Sequence, residues 1–282
     1  MHQRARSSVT KRTVFFVSDQ TGITAETMGH SLMTQFDGIE FRQVTVPFIA
    51  TVDKAIEAVR KIDLVGAQEG VRPIIFSTLV QEDVRNVVRG SSGFFLDFFD
   101  PFLVPLENEL KTQSTHVSSR THRMADTHAY ATRIDATNYA LANDDGSVVR
   151  DYERADVILV GVSRSGKTPT CLYLAMQYGI FAANFPLTED DLESRRLPPA
   201  LEAYSRKLFG LTIRPDRLQQ IRNERRPDSR YASAPQVAFE VRAAESLFER
   251  HGIPTIDATE VSIEEISSRI LDRTGIERRL RP

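Results

Sequence analysis

The feature of this 282-residue chain that most constrains its fold is a glycine-rich octapeptide with the pattern G-x-x-x-x-G-K-[ST]. Its residues are Gly161, Val162, Ser163, Arg164, Ser165, Gly166, Lys167 and Thr168. The apolar run 155–160 before it predicts a buried strand, and residues 169–179 carry apolar side chains at helical spacing. This order is typical of a phosphate-binding P-loop, because backbone N–H groups and a helix N-terminus attract anions.

Two side chains of the motif extend the prediction from binding to chemistry. Lys167 supplies a positive charge for the outer phosphates of a polyphosphate, and the Thr168 hydroxyl is a ligand for Mg²⁺. The alternative is a glycine-rich turn without a ligand. The full motif between a strand and a helix favours nucleotide binding by all eight residues.

Composition excludes several classes of protein. A hydrophobic content of 41% and a charged content of 26% are typical of a soluble globular protein with a core. The net charge of −2 argues against a general binder of nucleic acid or of membrane surfaces. The apolar run 14–17 is too short for a signal peptide, so we expect a cytoplasmic protein. The single cysteine, Cys171, excludes an internal disulfide.

Strand and helix patterns alternate along the chain and predict an α/β fold with mostly parallel sheets. We expect a disordered tail over residues 1–12, a Rossmann-like parallel-sheet domain over residues 13–111 and a P-loop kinase-like α/β domain over residues 151–282. Residues 112–150 are predicted to form a polar linker and a helix that ends in an Asp-Asp-Gly loop.

Apolar spacing also predicts two further helices. Met28, Leu32 and Phe36 recur every four residues after the first predicted strand. Tyr130, Ile134 and Leu141 lie on roughly one side of the helix before the Asp-Asp-Gly loop.

The Asp-Asp-Gly loop is the first candidate for chemistry. Asp144 and Asp145 precede Lys167 with one predicted strand between them. Neighbouring carboxylates point to different sides, so one can meet Mg²⁺ or accept a hydroxyl proton while the other holds the structure. Phosphoryl transfer needs such a base or orienting group. An ordinary Asp-Gly turn is the alternative.

A basic cluster after the P-loop is the second candidate. Arg222, Arg225 and Arg226 are suited to clamp phosphate, because the planar guanidinium binds two oxygens at once. The alternative is a solvated helix end, where the helix dipole favours cations. The histidines have no metal-binding spacing, and only His122, among arginines, is expected near phosphates.

Two further polar positions follow predicted strands. Ser18, Asp19 and Thr21 follow the first strand, where they either line a ligand-binding edge or cap the next helix. Asp257 is the nearest candidate for the acid that ends a second apolar strand in P-loop enzymes.

These residues lie in blocks that carry a resemblance to a known family. The chain resembles the regulatory proteins of pyruvate, phosphate dikinase and phosphoenolpyruvate synthase. The matching blocks are residues 14–26, 140–146, 155–178, 182–184, 208–213, 222–226, 229–233 and 262–266. The long P-loop block and the Phe-Gly-Leu-Thr-Ile segment at 209–213 are specific to this family, and the end blocks are more similar to its synthase branch.

The resemblance implies a bifunctional enzyme. Family members transfer the β-phosphoryl group of ADP to a threonine of the target enzyme, and they remove it with inorganic phosphate, releasing pyrophosphate. It implies phosphoenolpyruvate synthase as protein partner, with Mg²⁺, and leaves a homodimer open. It places the nucleotide loop at residues 161–168 and a functional acid at Asp145, and we assign proton transfer to Asp145 or Asp144.

The sequence departs from the family pattern at one position of the Asp-Asp-Gly loop. The family has His-Asp-Asp-Gly, and this chain has Asn143 in place of the histidine. An amide cannot shuttle a proton, so we expect Asn143 to shape the loop only. The alternatives are an ATP-dependent kinase of small metabolites and a catalytically weak nucleotide-sensing module.

Overall fold

Both halves of the chain form a four-stranded parallel sheet with helices packed on it, as described by a computed structural model for residues 10–115, 127–144 and 151–280. The chain divides into two units, Met1–Arg123 and Met124–Pro282. Most of the predicted tail, His122 and Asp145 lie outside the described residues.

The first unit alternates strands and helices. Its elements are β1 (Thr10–Val17), α1 (Ile23–Met33), β2 (Ile39–Val46), α2 (Val52–Glu69), β3 (Ile74–Ser77), α3 (Glu82–Arg89), β4 (Phe94–Asp97) and α4 (Asp100–Leu110). The strand order is β2-β1-β3-β4, with all pairs parallel. Side chains alternate across β1, so Phe15 and Val17 pack in one layer and Val14 and Phe16 in the other.

The second unit repeats this topology around the P-loop. Its elements are α5 (Thr127–Ala142), β5 (Val157–Gly161), α6 (Lys167–Tyr178), β6 (Ala182–Pro186), α7 (Glu189–Ser194), α8 (Pro199–Glu202), β7 (Leu208–Thr212), α9 (Pro215–Arg225), α10 (Ala234–His251), β8 (Thr255–Asp257) and α11 (Ile263–Thr274). The order β6-β5-β7-β8 is again parallel. Both faces of β5 are buried, with Ile158 and Val160 in one core and Val157 and Leu159 in the other.

The predicted fold class, two α/β regions with parallel sheets, is confirmed. In each unit the first two strands in sequence are neighbours, and the third strand lies on the other side of the first: β1 is between β2 and β3, and β5 is between β6 and β7. This arrangement opens a crevice at the carboxyl ends of β1 and β3, and another at the ends of β5 and β7. In the part of the chain that the structure describes, no helix has the length and apolar character needed to cross a membrane.

The apolar side chains whose spacing predicted α1 and α5 are exposed in the structure. Leu32 and Phe36 are 48% and 60% exposed, and Tyr130 is 52% exposed. Small residues face the sheets instead, including Gly29 of α1, where a Cβ would lie 2.5 Å from the Phe16 ring. At Gly29 the close approach of α1 to the sheet therefore excludes any side chain.

Candidate nucleotide site

The P-loop joins the carboxyl end of β5 to the start of α6. Gly166 is the N-cap of α6 with φ of 92°, and no side chain caps the helix there. Arg164 also has a positive φ, 75°. Residues in the left-handed backbone conformation turn successive N–H groups toward one side of the loop. The uncapped N–H groups at the start of α6 point along the helix axis toward the same side. The loop therefore has the backbone of an anion site.

The start of the loop requires a glycine. A Cβ on Gly161 would lie 2.4 Å from the carbonyl oxygen of Leu211 in the neighbouring strand β7. The Gly161 carbonyl accepts a hydrogen bond from the N–H of Leu187 at 3.0 Å, beyond the end of β6. The two neighbouring strands therefore fix the point where the loop leaves the sheet.

Lys167 is buried beneath the loop. Its side chain donates from Nζ to the carbonyl of Val162 at 2.8 Å, and the residue is 4% exposed. Burial lowers the pKa of Lys167 to about 7, although the nearby Cys171 thiol and Asp144 carboxylate favour the charged form. A bound polyphosphate would place negative charge beside the amine and favour its protonated form, so this environment is suited to an anionic ligand.

Asn184 of β6 joins the Asp-Asp-Gly loop to the P-loop. Its Nδ2 lies 3.1 Å from Asp144 Oδ1 and 3.1 Å from Thr168 Oγ1, and it also donates to the backbone carbonyl of Asp144. Its Oδ1 is buried, and no group within the described ranges donates to it. The geometry brings the predicted acid Asp144 next to the predicted Mg²⁺ ligand Thr168 and leaves one acceptor free beside them.

Asn143 has a structural position. Its Nδ2 donates to the carbonyl of Tyr139 at 2.9 Å, at the end of α5, and its own carbonyl accepts from the N–H of Asn184 at 2.8 Å. The residue is 6% exposed. The side chain is therefore occupied with helix α5, as expected for a residue that shapes the loop. Asp145 follows outside the described residues.

The arginine cluster separates into two parts. Arg222 is fully buried, and its guanidinium donates to the Ser163 carbonyl at 3.1 Å, to the Tyr231 carbonyl at 3.0 Å and to Glu240 at 2.7 Å. It therefore holds the P-loop backbone and has little freedom to clamp a ligand. Arg225 and Arg226 are exposed and line a cavity of about 210 Å³ with Ser163 and Tyr231.

Asp257 does not lie beside the P-loop strand. It ends β8, which β7 separates from β5. Its Oδ1 accepts from the N–H of Thr259 at 2.9 Å and from the same residue's hydroxyl. The carboxylate therefore stabilises a local turn.

The polar segment after β1 does not cap a helix through its side chains. Gly22 is the N-cap of α1, with φ of 85° and no side-chain hydrogen bond, so the predicted cap by Ser18, Asp19 or Thr21 is wrong. Asp19 is 7% exposed, and burial raises its pKa. Ser18 accepts from the N–H of Gln20 at 3.2 Å. A buried acid at this sheet edge is compatible with the ligand-binding alternative.

The donor set for a metal is small. Within the described ranges, no group of three or more His, Cys, Asp or Glu side chains is placed to hold an ion. The Thr168 hydroxyl, the Asp144 carboxylate and the free Asn184 oxygen are nevertheless hard oxygen donors. Such a set fits Mg²⁺, which keeps several waters and takes its other ligands from phosphates.

Asn184 and Tyr231 lie in the family-like blocks 182–184 and 229–233 but were given no role in the site, and Glu240 was not predicted at all. Asn184 is a polar residue within the apolar strand β6, and that contrast is the signal that identifies it. Tyr231, whose hydroxyl lies 2.9 Å from Ser163 Oγ, and Glu240 have no such signal, because their partners are distant in sequence.

The fold and the motif define a P-loop-like α/β protein, whose glycine-rich loop lies at the switch point of a parallel sheet. The chain belongs to the kinase/pyrophosphorylase family, whose sequence pattern matches residues 14–271.

Curated relatives match over nearly their whole length. A protein of Stutzerimonas stutzeri is 55% identical over 271 residues, which are 96% of this chain and 100% of the relative. One of Hahella chejuensis is 54% identical with the same coverage, and one of Alcanivorax borkumensis is 53% identical, covering 96% and 99%. All three are provisionally named phosphoenolpyruvate synthase regulatory proteins.

Proposed function

We propose that this protein is a bifunctional phosphotransferase that regulates phosphoenolpyruvate synthase. In one direction it phosphorylates a threonine of the synthase with ADP as donor and inactivates the enzyme. In the other it removes the phosphoryl group with inorganic phosphate, releases pyrophosphate and restores activity. The target comes from the names of the relatives, and the ADP and phosphate reactions come from the family resemblance.

The observation that carries the proposal is the link from Asp144 through Asn184 to Thr168 at the mouth of the P-loop. It supports a site in which a carboxylate stands beside the hydroxyl that meets the metal and phosphates. A loop that only binds anions does not need an acid there, whereas phosphoryl transfer to a hydroxyl does.

In the forward reaction the threonine oxygen attacks the β-phosphorus of ADP. The bond from that phosphorus to the oxygen bridging the α-phosphate breaks, and AMP leaves with the electron pair. The hydroxyl proton passes to a carboxylate, which we assign to Asp145 with Asp144 as its neighbour. Lys167 and the N–H groups of the loop balance the charge of the transferring group.

In the reverse reaction an oxygen of inorganic phosphate attacks the phosphorus of phosphothreonine. The bond to the threonine oxygen breaks, pyrophosphate forms, and the threonine oxygen takes a proton from the carboxylic acid. Phosphate then stands where the α-phosphate of ADP stands in the forward direction. One phosphate-binding loop is therefore sufficient for both reactions.

Mg²⁺, when bound, offsets the negative charge of the polyphosphate. Thr168 Oγ1 and Asp144 are the residues that would hold it, directly or through water. Asn184 orients both oxygens, because a single amide nitrogen lies between them.

The test is incubation of the protein with purified phosphoenolpyruvate synthase and ADP labelled in its β-phosphate, or ATP labelled in its γ-phosphate, followed by mapping of the label. We expect label from ADP on one threonine, and release of labelled pyrophosphate when inorganic phosphate is added. Transfer from ATP to a small acceptor would indicate a metabolite kinase. Nucleotide binding without transfer would indicate a sensing module.

A further inference from the structure

A basic groove runs along one side of α10, away from the contacts already described. It encloses about 560 Å³ between this helix and the residue that follows α7, Arg195. Phe239, Arg242, Ser246 and Arg250 line it from α10, at spacings of three and four residues. This spacing places them on one helix face.

The groove combines positive charge with an exposed ring. Arg195, Arg242 and Arg250 are exposed, and in the described part of the chain none of the three has a carboxylate at ion-pair distance. Arg250 instead donates to the backbone carbonyl of Arg195 at 2.7 Å. Phe239 is 40% exposed. Three unneutralised cations in a chain of net charge −2 form a local field of opposite sign.

The acids of α10 do not neutralise this groove. Glu240 accepts from Arg222, and Glu245 accepts from the hydroxyl of Thr212 at 2.7 Å. Glu249 is exposed, does not line the groove and, within the described ranges, lies at ion-pair distance from no cation. No residue lining the groove is acidic. The cations are therefore available to a partner.

One end of the groove is formed by the start of α10, the helix that contacts the P-loop through Arg222. Pro235 lines the groove at the start of α10, four residues after Tyr231, whose hydroxyl contacts Ser163 of the P-loop. Glu240 connects the same helix to the loop through Arg222. From Pro235 to Arg250 the helix extends roughly 22 Å, at about 1.5 Å per residue. A protein segment bound here would begin beside the site and extend away from it.

We propose that the basic groove docks an acidic helical segment of the protein whose threonine is phosphorylated. Arg242 and Arg250 are roughly 12 Å apart along the axis, which matches two carboxylates separated by two helical turns. An apolar side chain about one helical turn beyond the carboxylate that meets Arg242 covers Phe239. The inference rests on the proposed function for the identity of the partner, and its chemistry follows from the charge of the groove.

The decisive variant is Arg242→Glu, because Arg242 is exposed and makes no polar contact within the described ranges. The matched control is Arg217→Glu on α9, also exposed, which hydrogen-bonds only to Gln220 in that part of the chain. For each protein we measure kcat and KM with purified phosphoenolpyruvate synthase, the affinity for the synthase by calorimetry at two salt concentrations, the affinity for ADP and the melting temperature.

For Arg242→Glu we expect KM to rise about tenfold or more and the affinity for the synthase to fall equally, with kcat, ADP affinity and melting temperature unchanged. The salt dependence of binding should decrease, and Arg217→Glu should behave as wild type. Unchanged KM and affinity for Arg242→Glu, or an equal effect of both variants, would overturn the docking proposal.

The proposed function and the docking proposal fail in different ways. If wild type binds the synthase through Arg242 but transfers no label from ADP, the proposed reaction is wrong and the groove is supported. If wild type transfers label and Arg242→Glu does so with the wild-type KM, the reaction is supported and the groove is not its docking site. Absence of wild-type binding overturns the groove proposal directly.

Discussion

At the scale of single residues, the proposed mechanism depends on Lys167 to stabilise the charge of the transferring group. We expect Lys167→Ala to reduce both the ADP-dependent and the phosphate-dependent reaction by about 10²-fold or more, because both need the same charge stabilisation. Initial rates in each direction measure this, with thermal unfolding as the control for folding. If either reaction keeps a rate near wild type, the two reactions use separate phosphate sites.

The buried position of Lys167 also predicts a pH dependence of nucleotide binding. Because burial lowers its pKa to about 7, the amine of the free protein is largely neutral at pH 8. A bound polyphosphate favours the charged form, so binding at pH 8 should take up close to one proton. By linkage, affinity for ADP should fall by up to about tenfold per pH unit above pH 7.

Calorimetry in two buffers of different ionisation enthalpy measures this proton uptake. Lys167→Met is the control, since it removes the titrating group and should remove the uptake. Binding of ADP with no proton uptake between pH 7 and 9 would contradict a lysine that is neutral in the free protein.

The two acids of the Asp-Asp-Gly loop should differ in their effects. Asp145→Asn should lower threonine phosphorylation by about 10²–10⁴-fold while nucleotide affinity is kept, because an amide cannot accept the proton. Asp144→Asn should raise the Mg²⁺ concentration needed for half-maximal rate, since Asp144 stands beside Thr168. The reverse pattern would exchange the base and metal roles of the two residues.

At the scale of secondary-structure elements, Arg222 fastens α9 and α10 to the P-loop. Arg222→Met leaves Glu240, whose side chain is 12% exposed, without its guanidinium. Breaking such a buried pair costs about 3–5 kcal/mol, so we expect a lower melting temperature and weaker ADP binding. Arg217→Met on the exposed side of α9 is the matched control. A wild-type melting temperature for Arg222→Met would contradict this role.

The elements were predictable from sequence to different degrees. A continuous apolar run identified β5 and helical spacing identified α6, because each pattern lies within a single element. Apolar spacing also identified α1 and α5 as helices, but Leu32 and Tyr130 are exposed while Gly29 and Ala136 are buried. Spacing identifies a row of apolar side chains on a helix. It does not show whether the helix and the sheet are far enough apart for that row to fit between them.

The site shows the same division. The P-loop residues were predicted from sequence because they form one motif of consecutive residues. The contact of Asn184 with Asp144 spans 40 positions, and that of Arg222 with Ser163 spans 59. Such contacts depend on strand order and helix packing, which no local pattern specifies.

At the scale of the whole molecule, both units share one parallel topology, but only the second follows its central strand with a P-loop. After β1 the first unit has a buried acid, Asp19, where the second has the glycine-rich loop. The same sheet edge thus carries a buried acid in the first unit and a buried lysine beside the glycine-rich loop in the second. We therefore expect a polyphosphate to bind to the second unit, and the proposed mechanism uses a single phosphate-binding loop for both reactions.

A single phosphate-binding loop predicts that the substrates of the ADP-dependent and the phosphate-dependent reactions compete for binding. Inorganic phosphate takes the position of the α-phosphate of ADP, so α,β-methylene-ADP, which cannot transfer its phosphoryl group, should inhibit phosphate-dependent dephosphorylation competitively against phosphate. Its inhibition constant should equal the Kd that calorimetry gives for the same analogue, because both report occupation of one loop. Initial rates of pyrophosphate release over a grid of phosphate and analogue concentrations measure the pattern. Noncompetitive inhibition would mean that phosphate and nucleotide bind together, and the reverse reaction would then need a second anion site, for which Arg225 and Arg226 beside Ser163 are the nearest groups.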